Sequence, residues 1–229
     1  MERSRLAILI PALNEAATIG DVVARSLSFG DVIVIDDGST DNTATVAHIA
    51  GAAVVTNPGP RGYDRAIETG FAAAEKRGYE WVVTMDADGE HNPDVLASFR
   101  TALVEQRVPL VIGRRPRPRR ATEALMAWYF RWRFGIHDPL CGMKGYNLDL
   151  YRENNGFDHF DSIGTELAFN SARRGHQFRE VGVSGGVRVD VPRFGRTLKA
   201  NYRIGKALLR LIALDVGAAL EGQKNNTSI

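Results

Sequence analysis

The 229-residue chain is poor in cysteine and in long apolar runs. Its one cysteine, Cys141, excludes an internal disulfide and fits a reducing compartment. No run reaches the roughly 18 apolar residues that a membrane-spanning helix needs. The first residues, MERSRLAILIPALNE, lack the apolar length of a secretory signal peptide. We therefore expect a cytoplasmic protein, peripheral on the cytoplasmic face of a membrane, that does not cross it.

Two common phosphate-binding signatures are also missing. No G-x-x-x-x-G-K-[ST] sequence occurs, and GKA at 205–207 fails that pattern. No G-x-G-x-x-G sequence follows the first apolar run, where IPALNEA stands instead. These absences argue against P-loop and dinucleotide-binding proteins. A nucleotide bound here would be held by carboxylates and a metal rather than by a glycine loop.

Five short, mostly β-branched apolar runs predict strands covered on both faces, because they do not alternate with polar residues. They occupy residues 6–10, 32–35, 53–55, 81–85 and 110–112. Helical patterns separate them, at about 15–28, 41–50, 62–77 and 93–106. Strand and helix in alternation predict an α/β fold with a mostly parallel sheet and helices on both faces.

The alternation weakens after residue 113. The pattern there predicts a helix over 121–134, a turn-rich segment over 135–147, a helix near 164–174, a strand near 178–183 and a last helix over about 197–214. The residues after this helix are polar, and we expect them to fray.

Acidic residues crowd the ends of two predicted strands. Asp36 and Asp37 end the second strand, and Asp86, Asp88 and Glu90 follow the fourth. Asp86 and Asp88 are two apart and point to one side of an extended chain. Carboxylates beside phosphates suit Mg²⁺ or Mn²⁺, although each string alone is also typical of a turn. Because ligands bind beyond the carboxyl ends of parallel strands, the two clusters together favour a metal-dependent nucleotide site.

Four motifs carry a resemblance to a known family: ILIPALNEAATIGDVV, VIVIDDGSTDNT, MDADGEH and VIGRR. In this order and spacing they resemble family 2 glycosyltransferases of the GT-A fold, and within that family the dolichyl- or polyprenyl-phosphate mannose synthases. The resemblance is strong over residues 6–115 and looser over 136–199. It implies one GT-A domain with a nucleotide-sugar-binding half (1–112), an acceptor and membrane-interface half (113–214) and a polar tail (215–229).

The resemblance assigns roles to the acidic strand ends. Pro11, Glu15 and Asp37, together with the adjacent Asp36, are expected to contact the nucleoside of a GDP- or UDP-sugar. The implied ligands of Mg²⁺ or Mn²⁺ on the donor diphosphate are Asp86, Asp88 and Glu90. The synthases that resemble this chain usually have Gln where Glu90 stands, and the extra charge would shift metal preference or affinity.

The arginine loop, GRRPRPRR at residues 113–120, follows the fifth strand. Such a run is compatible with a solvated loop, but beside a phosphate site it favours anion binding, because the guanidinium fork fits phosphate oxygens. The resemblance implies that Arg115 and Arg120 bind the acceptor's phosphate.

Two later segments resemble further elements of these transferases. DPLCGMKGYN (138–147) is similar to a sugar-pocket segment, which directs Asp138 toward donor or acceptor. VPRFGRTLK (191–199) is similar to an R-x-G-x-S element, matched by Arg193 and Thr197. An arginine at position 193 would neutralise the leaving diphosphate.

Two helical patterns have features of a membrane interface. Leu125, Trp128, Tyr129 and Trp132 share a face of the 121–134 helix, and Lys199, Arg203, Lys206 and Arg210 form a basic stripe on the last helix. Packed helices with a solvated face would give the same patterns, but two such helices favour an anionic membrane surface. The basic residues accompany apolar helices, which argues against nucleic acid.

The implied reaction is the inverting transfer of a sugar, best assigned as mannose from GDP-mannose, to a polyprenyl or dolichyl phosphate. A phosphate monoester has a second pKa of about 6, so this nucleophile is charged without a protein base. One alternative is transfer to a saccharide hydroxyl, with Asp138 or Glu166 as the base. Another is a non-catalytic nucleotide-sugar-binding subunit on a membrane, against which the complete acidic set argues.

Overall fold

The computed structural model describes residues 5–59, 61–89, 91–116, 120–183 and 197–226, the last range without the side chains of residues 197, 199 and 218–226. Its centre is a seven-stranded sheet in the order β3-β2-β1-β4-β6-β5-β7. The strands are β1 (Leu6–Ala12), β2 (Asp31–Asp36), β3 (Ala53–Thr56), β4 (Trp81–Thr84), β5 (Leu110–Arg114), β6 (Lys144–Asn147) and β7 (Phe178–Gly182).

Helices cover both faces of the sheet, which confirms the α/β prediction. They are α1 (Ile19–Ser26), α2 (Thr43–Ile49), α3 (Tyr63–Lys76), α4 (Leu96–Arg100), α5 (Ala121–Phe134), α6 (Leu148–Asn154), α7 (Glu166–Arg173) and α8 (Thr197–Asn226). A 3₁₀ turn at Pro93–Val95 precedes α4, and a π-helical turn at Thr101–Glu105 follows it. The single helix predicted over 93–106 is therefore three short helical segments.

The core has two halves, one on each face of the sheet. Alternate residues of β1 contribute to the two halves. Leu9 belongs to the half that contains Phe71 of α3 and Phe130 of α5, whereas Ile8 belongs to the half that contains residues of α1 and α4. Because both faces are covered, the whole interior of β1 is apolar, as its non-alternating sequence predicts.

The strand β6 is the feature that the sequence pattern missed. The segment KGYN lies inside the predicted turn-rich region, yet it pairs antiparallel with both β4 and β5. Gly145 fits there because an added Cβ would lie 2.6 Å from Cδ1 of Leu103. Since β6 runs opposite to its neighbours, its first residue, Lys144, lies beside Thr84 at the carboxyl end of β4. The loop that leads into β6 therefore reaches the edge of the sheet where ligands of α/β proteins bind.

The helix α6 was not predicted, and the last helix is longer than its sequence pattern indicates. The apolar pattern ends near residue 214, but α8 continues to Asn226. Asp215 lies in this additional part of the helix and is buried. Its carboxylate accepts hydrogen bonds from the hydroxyl of Tyr129 (2.9 Å) and from Nε of Arg133 (2.7 Å), so the residue anchors α8 to α5.

Candidate active site

The carboxyl ends of the parallel strands bring most of the predicted site residues to one edge of the sheet, called here the carboxyl edge. Asp36 ends β2, Asp86 lies just past β4, and Arg115 lies just past β5. Hydrogen bonds between neighbouring strands continue up to this edge, from the amide of Asp37 to the carbonyl of Ala12 (2.9 Å) among others. The fold thus places side chains far apart in sequence along one line.

Asp37 organises the loop between β3 and α3. Its Oδ1 accepts a hydrogen bond from Nδ2 of Asn57 (2.6 Å), and its Oδ2 accepts one from the amide of Gly62 (2.9 Å). Asp36 accepts a longer one from the amide of Ser39 (3.2 Å). Both carboxylates are buried. Contact of this acid pair with a nucleoside stays a prediction, and Asn57 is a polar partner that the sequence did not single out.

The end of β1 carries Pro11 to the same edge, and the loop after β1 carries Glu15 there. Pro11 is paired in register with Ile35 of β2, and Glu15 is buried, with its amide donating to Oγ1 of Thr43 (2.7 Å). The hydroxyl of Thr18 donates to the carbonyl of Ala87 (2.8 Å), which ties this loop to the turn after β4. The predicted nucleoside and metal regions are therefore adjacent.

The turn after β4 contains the candidate metal ligands Asp86 and Asp88. Asp88 is buried and Asp86 is half-buried, while Glu90 lies outside the described residues. Among the described residues, no group of three His, Cys, Asp or Glu side chains converges as a metal cage would. Two carboxylates suit Mg²⁺ or Mn²⁺, which commonly takes its remaining ligands from water and substrate phosphate.

Two further observations support a cation at this turn. Nδ1 of the buried His91 has no hydrogen-bond partner within the described part of the chain and lies 3.8 Å from Oδ2 of Asp86. An added Cβ at Gly142 would lie 2.5 Å from the same oxygen, so the loop before β6 passes directly over the carboxylate. A buried polar atom without a partner beside a carboxylate fits a site that a ligand completes. His91 directly follows the acidic series, which was the signal available in the sequence.

Arg115 and Asp138 form a bidentate ion pair. Nε of Arg115 lies 2.8 Å from Oδ2, Nη2 lies 2.8 Å from Oδ1, and the amide of Arg115 also donates to Oδ2 (3.0 Å). Burial would raise the pKa of Asp138, but the hydrogen bonds and charge of Arg115 lower it below its usual value. Burial would lower the pKa of Arg115, but Asp138 raises it above its usual value. Both groups are therefore charged at neutral pH.

Arg120 and Glu123 extend this pair. Nη1 of Arg120 donates to Oε1 of Glu123 (2.7 Å), and Nη2 of Arg115 lies 3.6 Å from Oε2 of the same carboxylate. Glu123, in the first turn of α5, is only 4% exposed. The structure thus brings Arg115 and Arg120 to a common partner that the sequence reading missed, although the i,i+3 spacing of Arg120 and Glu123 was a signal.

Glu166, a candidate base, is already engaged. Its Oε2 accepts a hydrogen bond from the amide of His159 (2.6 Å), and its Oε1 lies 2.6 Å from Nδ1 of the same residue. The hydrogen bond with Glu166 raises the pKa of His159, since the imidazolium is stabilised by the carboxylate. Glu166 therefore organises the loop before α7.

Like Glu123, Lys144 is a buried charged residue that the sequence analysis did not identify. Its Nζ donates to the carbonyl of Cys141 (2.7 Å) and to that of Gly164 (3.0 Å), so it joins the loop before β6 to the loop before α7. Burial lowers its pKa. A single lysine in a short, unrecognised strand gave no periodic signal.

The aromatic face of α5 is partly different from the prediction. Leu125, Trp128 and Trp132 are exposed, and the two indole rings are stacked with centroids 6.4 Å apart. Tyr129, which we grouped with them, is instead buried against α8, because its hydroxyl donates to Asp215.

On α8 the basic stripe is exposed at Arg203, Lys206 and Arg210, whereas the side chain of Lys199 lies outside the described residues. Three large apolar residues of the same helix are also exposed: Leu198, Tyr202 and Leu209. Contact with the core is made instead by Ala200, Ile204, Ala207, Leu208 and Leu211. The structure therefore leaves large apolar side chains beside basic ones on one outer surface. No helix in the described part of the chain is long and apolar enough to span a membrane.

Two predicted residues of the late segment are not placed. Arg193 lies outside the described residues, as does the side chain of Thr197 at the start of α8. Their roles toward the donor diphosphate stay predictions.

Comparison with known proteins supports the geometry. The model of the Glycosyl transferase family 2 matches residues 7–155, more than half of the chain. An uncharacterized glycosyltransferase of Mycobacterium tuberculosis is 30% identical over 222 residues, covering 93% of this chain and 97% of the relative. The undecaprenyl-phosphate mannosyltransferase of Micrococcus luteus is 27% identical over 242 residues, covering 95% of this chain and 97% of the relative.

A comparison with solved structures shows that the fold is a known one. Glucosyl-3-phosphoglycerate synthase from Mycobacterium tuberculosis, in complex with Mn²⁺, uridine diphosphate and phosphoglyceric acid, matches with a TM-score of 0.72 at 22% identity. The match covers 92% of this chain and 78% of that one. With parallel strands that end in acidic turns and an antiparallel β6 inserted between β4 and β5, the chain has the GT-A fold and belongs to glycosyl transferase family 2.

Proposed function

We propose that the protein is a metal-dependent, inverting glycosyltransferase that moves a sugar from a nucleotide sugar to a polyprenyl phosphate at an anionic membrane surface. GDP-mannose is the first donor to test. The observation that carries the proposal is the bidentate pair of Arg115 and Asp138 at the carboxyl edge. Arg115 follows β5, and Asp138 begins the loop that passes over Asp86. A guanidinium for phosphate and a carboxylate for metal thus lie on one edge.

On the donor side, Asp36, Asp37, Pro11 and Glu15 form the region proposed to receive the nucleoside. Asp86 and Asp88 would hold Mg²⁺ or Mn²⁺, which when bound stabilises negative charge on the departing nucleoside diphosphate. The close approach of Gly142 to Asp86 keeps this carboxylate oriented. Glu90 and Arg193 complete the proposed set from outside the described residues.

On the acceptor side, Arg115 is proposed to position the phosphate. Nε and Nη2 of Arg115 contact Asp138, which leaves Nη1 outside these hydrogen bonds as the edge that meets a ligand. The acceptor phosphate already carries the charge of a nucleophile at neutral pH. The protein therefore needs to bind and orient it rather than to remove a proton.

The engagement of both candidate bases weighs against a saccharide-hydroxyl acceptor. Asp138 is held by Arg115 and has a lowered pKa, which makes it a weak proton acceptor. Both oxygens of Glu166 contact His159. A reaction that needs a base would have to break one of these arrangements, whereas a phosphate acceptor needs neither.

The membrane part of the proposal rests on the surface of α5 and α8. Trp128 and Trp132 on α5 and Leu209 on α8 are exposed, and Lys206 and Arg210 lie on the same exposed side of α8 as Leu209. Exposed tryptophan near basic residues is typical of protein surfaces that enter the lipid headgroup region. A relative that acts on undecaprenyl phosphate is consistent with an acceptor that resides in a membrane.

The test offers labelled donors to the protein with four acceptors. Liposomes carry either polyprenyl phosphate or the matching polyprenol, and soluble arms contain 3-phosphoglycerate or an oligosaccharide. We expect label in the lipid extract only with polyprenyl phosphate and divalent metal, and Arg115→Ala should raise the acceptor KM about tenfold or more while donor binding is kept. Equal transfer to phosphate and alcohol, label in a soluble product, or full activity in excess chelator would contradict the proposal.

A further inference from the structure

We infer that Glu123 is a positioning residue that holds Arg115 and Arg120 toward one shared anion site. This inference rests on the proposed function, because the anion is the phosphate of the acceptor. The structural basis is a charge network of four residues: Arg115, Arg120, Glu123 and Asp138.

The network joins three separate parts of the fold. Arg115 follows β5, Asp138 lies in the loop before β6, and Arg120 and Glu123 lie at the start of α5. Glu123 is the member that connects the two arginines, with Oε1 2.7 Å from Nη1 of Arg120 and Oε2 3.6 Å from Nη2 of Arg115.

Glu123 can orient the two arginines because its own side chain is buried and therefore restricted. The carboxylate side chain is only 5% exposed, whereas the side chains of Arg115 and Arg120 are 19% and 22% exposed. The acid is therefore fixed beneath two guanidinium groups whose outer edges reach solvent. A long arginine side chain loses substantial conformational entropy when it binds an anion. If a fixed partner already restricts its rotamers, less of this entropy is lost on binding.

A role of Glu123 as a simple countercharge and a role in orienting the arginines predict opposite effects on acceptor binding, which makes the inference testable. The network holds two positive and two negative side chains. If Glu123 were only a countercharge, its neutralisation would leave one net positive charge and would strengthen the binding of an anionic acceptor. If Glu123 orients the arginines, the same change removes its ion pair with Arg120 and weakens binding of the acceptor. We expect orientation to dominate, because a charge-assisted hydrogen bond to phosphate depends on the direction of the donating N–H group.

The experiment measures acceptor and donor kinetics separately for Glu123→Gln and Glu123→Ala. We expect the KM for polyprenyl phosphate to rise roughly five- to tenfold in Glu123→Gln and further in Glu123→Ala, with the donor KM within about twofold of wild type. Glu68→Gln is the matched control, since Glu68 is a half-buried acid on α3 that accepts from Tyr151 and from the amide of Phe157.

A double-mutant cycle tests whether Glu123 acts through Arg120. In an Arg120→Ala background, Glu123→Gln should add little to the acceptor KM, because the side chain that it orients is gone. Binding of Mn²⁺ with the donor nucleotide reports folding of each variant. If Glu123→Gln does not fold, Glu123→Asp, which keeps the charge but withdraws it by one methylene, takes its place in the same cycle.

The outcomes separate this inference from the proposed function. If wild type neither binds polyprenyl phosphate nor transfers sugar to it, the proposed function fails. If wild type is active and Glu123→Gln has an unchanged or lower acceptor KM, the positioning role is overturned and the proposed function stands. A rise in the donor KM equal to that of the acceptor would also overturn it, since that result indicates general loss of structure.

Discussion

At the residue scale, the close approach of Gly142 to Asp86 means that a substitution of Gly142 should disturb the candidate metal site. An alanine Cβ at position 142 would lie 2.5 Å from Oδ2 of Asp86, so the carboxylate must turn away. We expect Gly142→Ala to weaken Mn²⁺-dependent nucleotide binding roughly tenfold or more, as changes that disturb the orientation of metal ligands do. Isothermal titration with GDP or UDP, with and without Mn²⁺, measures this effect.

The control for this change is Gly182→Ala in β7, where an added Cβ meets no atom of the described residues within 4 Å. It should bind nucleotide as wild type does. Wild-type affinity in Gly142→Ala would mean that Asp86 is not a ligand of the cation or that the loop yields without cost.

Asp64, also at the residue scale, gives a prediction for stability. It is buried in the first turn of α3, and its Oδ1 has no hydrogen-bond partner within the described part of the chain. Burial and the negative charge of Asp158 raise its pKa to about 7. Asp161 raises it further, whereas the amide of Gly164 and the charge of Arg203 lower it.

The sign of the pH effect follows from this shift. The folded state holds the Asp64 proton more tightly than the unfolded state, so the free energy of unfolding falls as pH rises from about 4 to about 7. Asp64→Asn should remove this loss and stabilise the protein by up to about 4 kcal/mol at pH 8 but little at pH 4. Urea unfolding at both pH values measures it, with the exposed Asp21→Asn as control. An equal effect at both pH values would show that Asp64 does not titrate in this range.

At the scale of secondary-structure elements, α8 has two faces of different character. One face packs on the core and is anchored by Asp215, which α5 holds through Tyr129 and Arg133. The outer face presents apolar and basic side chains together. Because the helix is held by its inner face, changes on the outer face should alter membrane binding without unfolding the protein.

The membrane prediction concerns the described part of the basic stripe. Changing Arg203, Lys206 and Arg210 together to Gln should release the protein from liposomes that contain anionic lipid. Binding by wild type should weaken with added salt, since exposed charges are screened beyond about 10 Å at 0.1 M ionic strength. Co-sedimentation across a salt series measures both effects.

A matched triple variant removes the same charge elsewhere. Lys76 at the end of α3, Arg77 directly after it and Arg174 directly after α7 are exposed, and their change to Gln should leave co-sedimentation unaltered. If both triple variants lose binding equally, net charge rather than the α8 surface drives association. If neither loses it, the stripe is a solvated face.

At the scale of the whole molecule, the pair of Arg115 and Asp138 at the carboxyl edge stays charged around neutral pH. The pKa of Asp138 is lowered and that of Arg115 is raised, so this pair does not titrate near neutrality. We therefore expect kcat/KM for a polyprenyl phosphate to rise up to about pH 6, where the acceptor ionises, and then to level off. A pH–rate series on wild type measures the profile.

The same series on Asp64→Asn separates the ionisation of the acceptor from that of Asp64, whose pKa is raised to about 7. An inflection that persists belongs to the acceptor. An inflection that disappears in the variant would assign it to Asp64 and would contradict the phosphate interpretation.

Much of the fold could be predicted because it depends on local chemistry. The five runs of β-branched residues form the predicted strands, since a strand buried on both faces must be apolar throughout. The acids of residues 36–37 and 86–88 lie at one edge because parallel strands end on the same side. In these respects the order of residue types determined both the sheet and the placement of the acidic clusters.

The tertiary structure alone decided the partners. KGYN became β6 because β4 and β5 offered their backbone groups on either side, which no local periodicity encodes. Tyr129 is buried because its hydroxyl donates a hydrogen bond to Asp215, which is 86 residues away in the sequence. Asp138 and Glu166, equally open as bases in the sequence, became partners of Arg115 and His159. The type of a side chain is set by the sequence, whereas its charge state and availability depend on which distant groups the fold places beside it.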